Sequence, residues 1–100
     1  MVLSRAELAV VIPALDEAGR LPLLLADLAQ APGDLIAELV VADGGSSDGT
    51  PQLARLAGAE VVHSLAGRGV QLARGISATT APWLLLLHAD ARLCRDWSAV

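Results

Sequence analysis

The chain has no phenylalanine and no tyrosine, and its only aromatic residues besides histidine are Trp83 and Trp97. Single-stranded nucleic acid is held largely by stacking on aromatic platforms, and such a platform is missing. Basic residues are also few: 7 Lys and Arg stand against 11 Asp and Glu, a net charge of -4. Binding to a phosphate backbone needs a basic patch, so polynucleotide partners are excluded. Cys94 is the single cysteine, which rules out an intrachain disulfide and gives no sign of an oxidising compartment. It reads as a small core or edge residue. No apolar run approaches the roughly 20 residues of a membrane span. The stretch Leu8 to Leu15 is interrupted by Pro13 and closes on Asp16-Glu17, which fits neither a span nor a signal peptide. A cytoplasmic protein without a transmembrane segment is expected, membrane-peripheral at most in a longer form.

What the chain does have is hydrophobic content of 54%, nearly all Leu, Ala and Val. A disordered segment would be poor in apolar residues, so the chain is globular. One hundred residues make one domain at most and are few for an α/β enzyme, so half of an enzyme fold enters consideration. Four apolar runs read as strands: Leu8 to Ile12, Leu39 to Ala42, Glu60 to His63 and Trp83 to Leu87. None alternates with polar residues, as expected of parallel strands covered on both faces. Between the first two, Leu21, Leu24, Leu25 and Leu28 fall at helical spacing, with Pro22 in the first turn and Pro32-Gly33 as the stop. A second, short helix takes Thr50 as N-cap, Pro51 as its first residue and Gly58 as its end. A third covers Val70 to Ala78 and is weakened by Gly75. The order predicts an α/β fold, a parallel open sheet with helices on both faces. After the fourth strand, Asp96-Trp97 could begin one further helix, for which too few residues remain.

Acidic residues gather at strand ends: Asp16 and Glu17 after the first run, Asp43 after the second, and Asp90 in His88-Ala89-Asp90 after the fourth. If the first and fourth strands are neighbours, these loops meet at a switch point, where open α/β sheets bind ligands. Carboxylates there can bind sugar hydroxyls or hold a hard divalent cation. A diphosphate entering so acidic a crevice would need Mg²⁺ or Mn²⁺ to offset the repulsion. Asp90 is the first ligand candidate, with a loop or N-cap role as its alternative, and His88 is either a second ligand or the polar end of a strand. The loop Asp43-Gly44-Gly45-Ser46-Ser47-Asp48-Gly49 matches neither glycine-rich phosphate fingerprint, and its two carboxylates make it a poor phosphate cradle. It suits a base or ribose, or is only a tight turn. Arg68 is the basic residue placed to meet a diphosphate, whereas Arg74 and His63 read as peripheral.

Val10-Val11-Ile12-Pro13-Ala14-Leu15-Asp16-Glu17 resembles the opening strand of family 2 glycosyltransferases, usually V-x-I-P-x-x-N-E. Val41 to Thr50 resembles their V-D-D-G-S-x-D-G-T signature with one extra small residue, and Gly67-Arg68-Gly69-x-Gln71-x-x-x-Gly75 and Leu85-Leu86-Leu87-His88-Ala89-Asp90 complete the order. The resemblance spans residues 1–100 but only the N-terminal, nucleotide-sugar-binding half of that family. It implies a GT-A fold, a Rossmann-like half sheet, a nucleoside-diphosphate-sugar donor and a divalent metal on a D-x-D motif. By position, Pro13, Asp16, Glu17, Asp43, Gly44 and Ser46 would bind the donor nucleotide, with Arg68 on the diphosphate and Asp90 on the metal. His88 stands where the first Asp of D-x-D is usual, a departure from a two-carboxylate site. The catalytic base of the family, a carboxylate of its second half, is expected beyond Val100.

The expected function is therefore metal-dependent, inverting sugar transfer, the 100 residues alone being incomplete. A non-catalytic nucleotide-binding module is the alternative. A nucleotidyltransferase would carry a basic glycine-rich loop after its first strand, where Asp16-Glu17-Ala18-Gly19-Arg20 is acidic. Exposed surfaces of a half domain would also favour pairing with a second copy.

Overall fold

The computed structural model describes residues 7–98. Its elements alternate without exception: β1 (Leu8–Ala14), α1 (Leu21–Leu28), β2 (Ile36–Asp43), α2 (Thr50–Leu56), β3 (Glu60–His63), α3 (Arg68–Ser77) and β4 (Trp83–Leu86). All pairings are parallel, and the sheet order is β3-β2-β1-β4. The α/β class expected from the apolar runs is the observed one.

β1 is the central strand because its residues are apolar on both faces. Leu8, Val10, Ile12 and Ala14 pack with Leu21, Leu24, Leu25 and Leu28 of α1 and Ala54 of α2 in the main core. Burying each of these leucines stabilises the fold by about 1.5–3 kcal/mol relative to exposure. The opposite face of β1 and β2 carries α3. There a Cβ on Gly75 would lie 2.5 Å from Val11 Cγ1, so only glycine permits this close approach of helix and strand. Gly75, a weak point of the helix by propensity, is also what seats α3 on the sheet through its missing side chain.

Two helix starts also differ from expectation. The N-cap of α2 is Gly49, at φ 90°, and Thr50 is inside the helix. The Thr50 side chain is fully buried and bonds elsewhere, leaving the left-handed turn to glycine. α3 begins at Arg68, because Gly67, at φ 140°, turns the chain into it two residues earlier than the apolar pattern suggests. β4 ends at Leu86. Residues 95–98 form turns.

The topology creates the ligand crevice. From β1 the chain steps outward through β2 to β3 with α1 and α2 on one face. It then reverses direction, crosses by α3 on the other face and lands on the far side of β1. Crossovers of constant hand require this change of face, and the β1/β4 seam becomes the switch point. The β1–β4 ladder stops early. Its last registered pair is Val11 with Leu86, and Val11 O accepts the Leu87 N–H at 3.1 Å. Pro13, two residues on and directed to the same side, has no N–H to continue it. Beyond that point the strands part.

The segment after β4 is tied down by α1. The Asp27 carboxylate accepts Arg92 Nε at 2.8 Å, Arg92 Nη2 at 3.1 Å and the Leu93 N–H at 2.9 Å, and Trp97 Nε1 donates to Asp27 O at 3.2 Å. The outer edge of the sheet is less covered: Trp83, Leu84 and Leu86 are each over two-fifths exposed.

Candidate functional site

Where β1 and β4 part, a cleft of about 320 Å³ opens at the carboxyl ends of the strands. Pro13 and Glu17 line it from the end of β1, Gly67, Arg68 and Gln71 from the start of α3, and His88 and Asp90 from the segment after β4. Five residues singled out from sequence, Pro13, Glu17, Arg68, His88 and Asp90, are thus brought together. They come from chain segments up to 77 positions apart (Pro13 to Asp90, 90 − 13).

The polar groups of this cleft are largely unengaged. Asp90, with its side chain 53% exposed, makes one contact, to Arg20 Nη1 at 3.5 Å. The Glu17 carboxylate and the Arg68 guanidinium have no charged partner among the described residues. A long, exposed pair such as Arg20–Asp90 contributes little, so Asp90 can exchange it for a ligand.

Asp16, Asp43, Gly44 and Ser46 do not line the cleft; they build the adjoining pair of loops. Asp16, at φ 53°, donates its N–H to Ser46 Oγ at 2.8 Å, while its Oδ1 accepts the Ser47 N–H at 2.8 Å. Asp48 Oδ2 accepts the Ala18 N–H at 3.0 Å, and its Oδ1 accepts both the N–H and the hydroxyl of Thr50. Thr50 Oγ1 in turn accepts the Glu17 N–H at 2.9 Å. The two loops are thereby laced together, and Glu17 is fixed at the border between them and the cleft. Hydrogen bonds from Thr50, then Ala18, hold the Asp48 carboxyl below its ordinary range.

Asp43 lies at the end of β2, in register with Ala14 and His63, and is 2% exposed. Its Oδ2 accepts the N–H groups of Gly45 and Ser46, both at 3.0 Å. Burial works to raise its pKa, but the Ser46 hydroxyl and amide, the Gly45 amide and nearby His63 outweigh it and leave the carboxyl lowered. His63 Nδ1 stands 3.7 Å from that oxygen and its Nε2 is 3.2 Å from Arg55 Nη2. His63, peripheral in the sequence reading, therefore stands beside a buried carboxylate. Asp43 Oδ1 has no partner among the described residues, and an orphaned buried acceptor is uncommon enough to mark a group that a ligand donor would satisfy.

Gln71 went unassigned in the sequence reading. It is 4% exposed; its Nε2 donates to Ala14 O at 2.9 Å and Ala42 O at 3.0 Å, and its Oε1 accepts the Gly67 N–H at 3.0 Å. The available signal was its position: Gln71, Gly75 and Ala78 share one face of α3, and a polar residue among small apolar ones on the sheet-facing side needs buried partners. Gly44 packs on it, since a Cβ there would sit 2.9 Å from Gln71 Cδ.

No three His, Cys, Asp or Glu side chains among the described residues cluster as a metal site. An all-protein cage is therefore not formed. Asp90, exposed and weakly paired, with His88 in the same cleft, fits the smaller donor set of a Mg²⁺ or Mn²⁺ ion that takes its remaining ligands from phosphate oxygens and water. No helix among the described residues is long and apolar enough to cross a membrane.

Comparison with known proteins agrees with this fold. Residues 9–99 match the profile of the family described as Glycosyl transferase family 2. A TPR repeat-containing protein of Synechococcus elongatus is 41% identical over 80 residues, covering 78% of this chain and 19% of that protein. The PGL/p-HBAD biosynthesis glycosyltransferase of Mycobacterium bovis is 38% identical over 92 residues, covering 84% and 35%. Among solved structures, glucosyl-3-phosphoglycerate synthase from Mycobacterium tuberculosis in complex with Mn²⁺, uridine diphosphate and glucosyl-3-phosphoglycerate superposes with a TM-score of 0.76 at 27% identity, covering 89% of this chain and 36% of that one. The chain spans little more than a third, or less, of each of these proteins.

Proposed function

The chain belongs to glycosyl transferase family 2, and on that premise we propose that it forms the donor-binding part of an enzyme that transfers a sugar from a nucleoside-diphosphate sugar to an acceptor hydroxyl, with inversion and with Mg²⁺ or Mn²⁺. The observation that carries this reading is the cleft at the β1/β4 switch point, where Arg68, a guanidinium with no charged partner among the described residues, and Asp90, a weakly paired carboxylate, line one space.

Arg68 presents a fork of donors suited to diphosphate oxygens. Asp90, with His88 as second donor, would hold the ion; when bound, it offsets charge on the departing nucleoside diphosphate. Asp43 Oδ1, buried and unpartnered, is an acceptor for an N–H of the base or a ribose hydroxyl. Pro13, Asp16, Glu17, Gly44 and Ser46 complete the nucleoside side, with Asp16 and Ser46 acting chiefly by holding the loops. The base that deprotonates the acceptor hydroxyl is assigned to the part of the family domain that this chain does not match. The exposed apolar edge of β4 supports pairing with a second copy, to be read by gel filtration.

Uridine diphosphate, the nucleotide in the solved relative, is the probe. Calorimetric titration is expected to show binding that tightens with Mn²⁺, and Asp90→Ala should remove the metal dependence while leaving the metal-free affinity in place. No binding under either condition overturns the reading. Hydrolysis of a UDP-sugar, measured alongside, separates an active centre from a non-catalytic nucleotide-binding module.

A further inference from the structure

We propose that Gln71 is a positioning residue that holds Arg68 toward the diphosphate, an inference that rests on the donor-binding reading above. One amide links three backbone segments. Its oxygen accepts the N–H of Gly67, the N-cap of α3, while the Gln71 N–H returns to Gly67 O at 2.8 Å. The backbone bond is the first i→i−4 bond of the helix, the side-chain bond gives the Gly67 N–H a partner it would otherwise lack, and together they fix the corner immediately before Arg68.

A cap alone would need only the oxygen. The amide nitrogen instead donates to the last carbonyls on the facing sides of β1 and β2, Ala14 O and Ala42 O, so the start of α3 is clamped to the sheet at the level of the site. Gly67 cannot hold this corner by itself, since at φ 140° glycine has the widest conformational freedom of any residue. Gly44 leaves the space the amide occupies. Arg68 is exposed and has no charged partner among the described residues, so the backbone corner is what limits where its guanidinium can reach.

The test is a double-mutant cycle on the full chain, read by calorimetry with Mn²⁺ present and with UDP and uridine as separate probes. Gln71→Met and Arg68→Ala should each weaken UDP about tenfold, the effect of one charge-assisted hydrogen bond, and leave uridine unchanged. The double variant should bind UDP no more weakly than Arg68→Ala alone. Additive losses, or equal losses of UDP and uridine, overturn the positioning role. Arg68→Ala alters an exposed side chain and decides the matter even if Gln71→Met does not fold: an unchanged UDP affinity there overturns the proposal. Failure of the parent chain to bind UDP would instead overturn the donor-site reading itself.

Discussion

The carboxylates of the laced loops and those of the cleft are the same chemical groups a few residues apart, yet their surroundings differ completely. Asp43 and Asp48 accept two and three hydrogen bonds respectively and are held below their ordinary pKa. Among the described residues Asp90 makes one long ion pair to an exposed arginine, and Glu17 has no charged partner. Charge at a strand end is therefore not by itself a binding feature. The first set fixes backbone, with Asp43 Oδ1 left over for a ligand, and both cleft carboxylates stand open to one. Asp27, on α1, belongs with the first: Arg92, then the Leu93 amide, lower its pKa from 3.8 to about 2.

The sharpest break of this contrast is Asp43→Ala. Losing a buried acceptor of two backbone N–H groups should destabilise the fold by about 2 kcal/mol, read as a lower urea midpoint with unchanged slope. An unchanged midpoint would show that the loop amides are equally well served by water. Next comes Gly44→Ala. The Gln71 amide is the far end of a flexible side chain, but three hydrogen bonds pin it, so displacement should cost about 1–2 kcal/mol.

The acid limb of stability sharpens the comparison further. Lowered folded pKa values contribute stability that is complete above the unfolded carboxylate value of about 3.9 and is lost as pH falls toward the folded one. Melting temperature should therefore drop from about pH 4 down to about pH 2, the region set by Asp27. Asp27→Asn or Asp48→Asn should flatten that limb. A limb unaltered in both variants would mean that their hydrogen bonds do not hold the folded carboxyls down. The smallest effect belongs to Arg20→Ala, which removes an exposed pair and should shift stability by less than about 0.5 kcal/mol.

Much of the architecture was legible because burial on both faces writes itself as uninterrupted apolar runs. β3 was read to the residue, and α1 came from four leucines at helical spacing. The bounds of β1, β2 and β4 moved by one to three residues, and the errors in the helices fell at glycines. Gly49 and Gly67 displaced two helix starts, and Gly75 proved to be a seat where propensity alone suggested a weak point. Gly49 and Gly67 act through their positive φ, whereas Gly75 depends on Val11 across the gap from its missing Cβ, and a one-dimensional pattern carries no information about that approach. Gln71 stood in a motif without a role of its own because its partners Ala14 and Ala42 are 57 and 29 positions away.

The sequence by itself determined the α/β order, the position of acidic residues at strand ends and the resemblance that the family match confirms, because periodicity and strand-end chemistry are local properties of a chain. Only the tertiary structure decided which carboxylates are free. The bonds that occupy Asp16 and Asp48 join residues 30 and 31 positions apart, and they form because β1 and β2 lie side by side and bring two loops within reach. At the β1/β4 seam the registered ladder stops short of Pro13, Asp90 stays half exposed with a single long ion pair among the described residues, and a residue of the same type remains available.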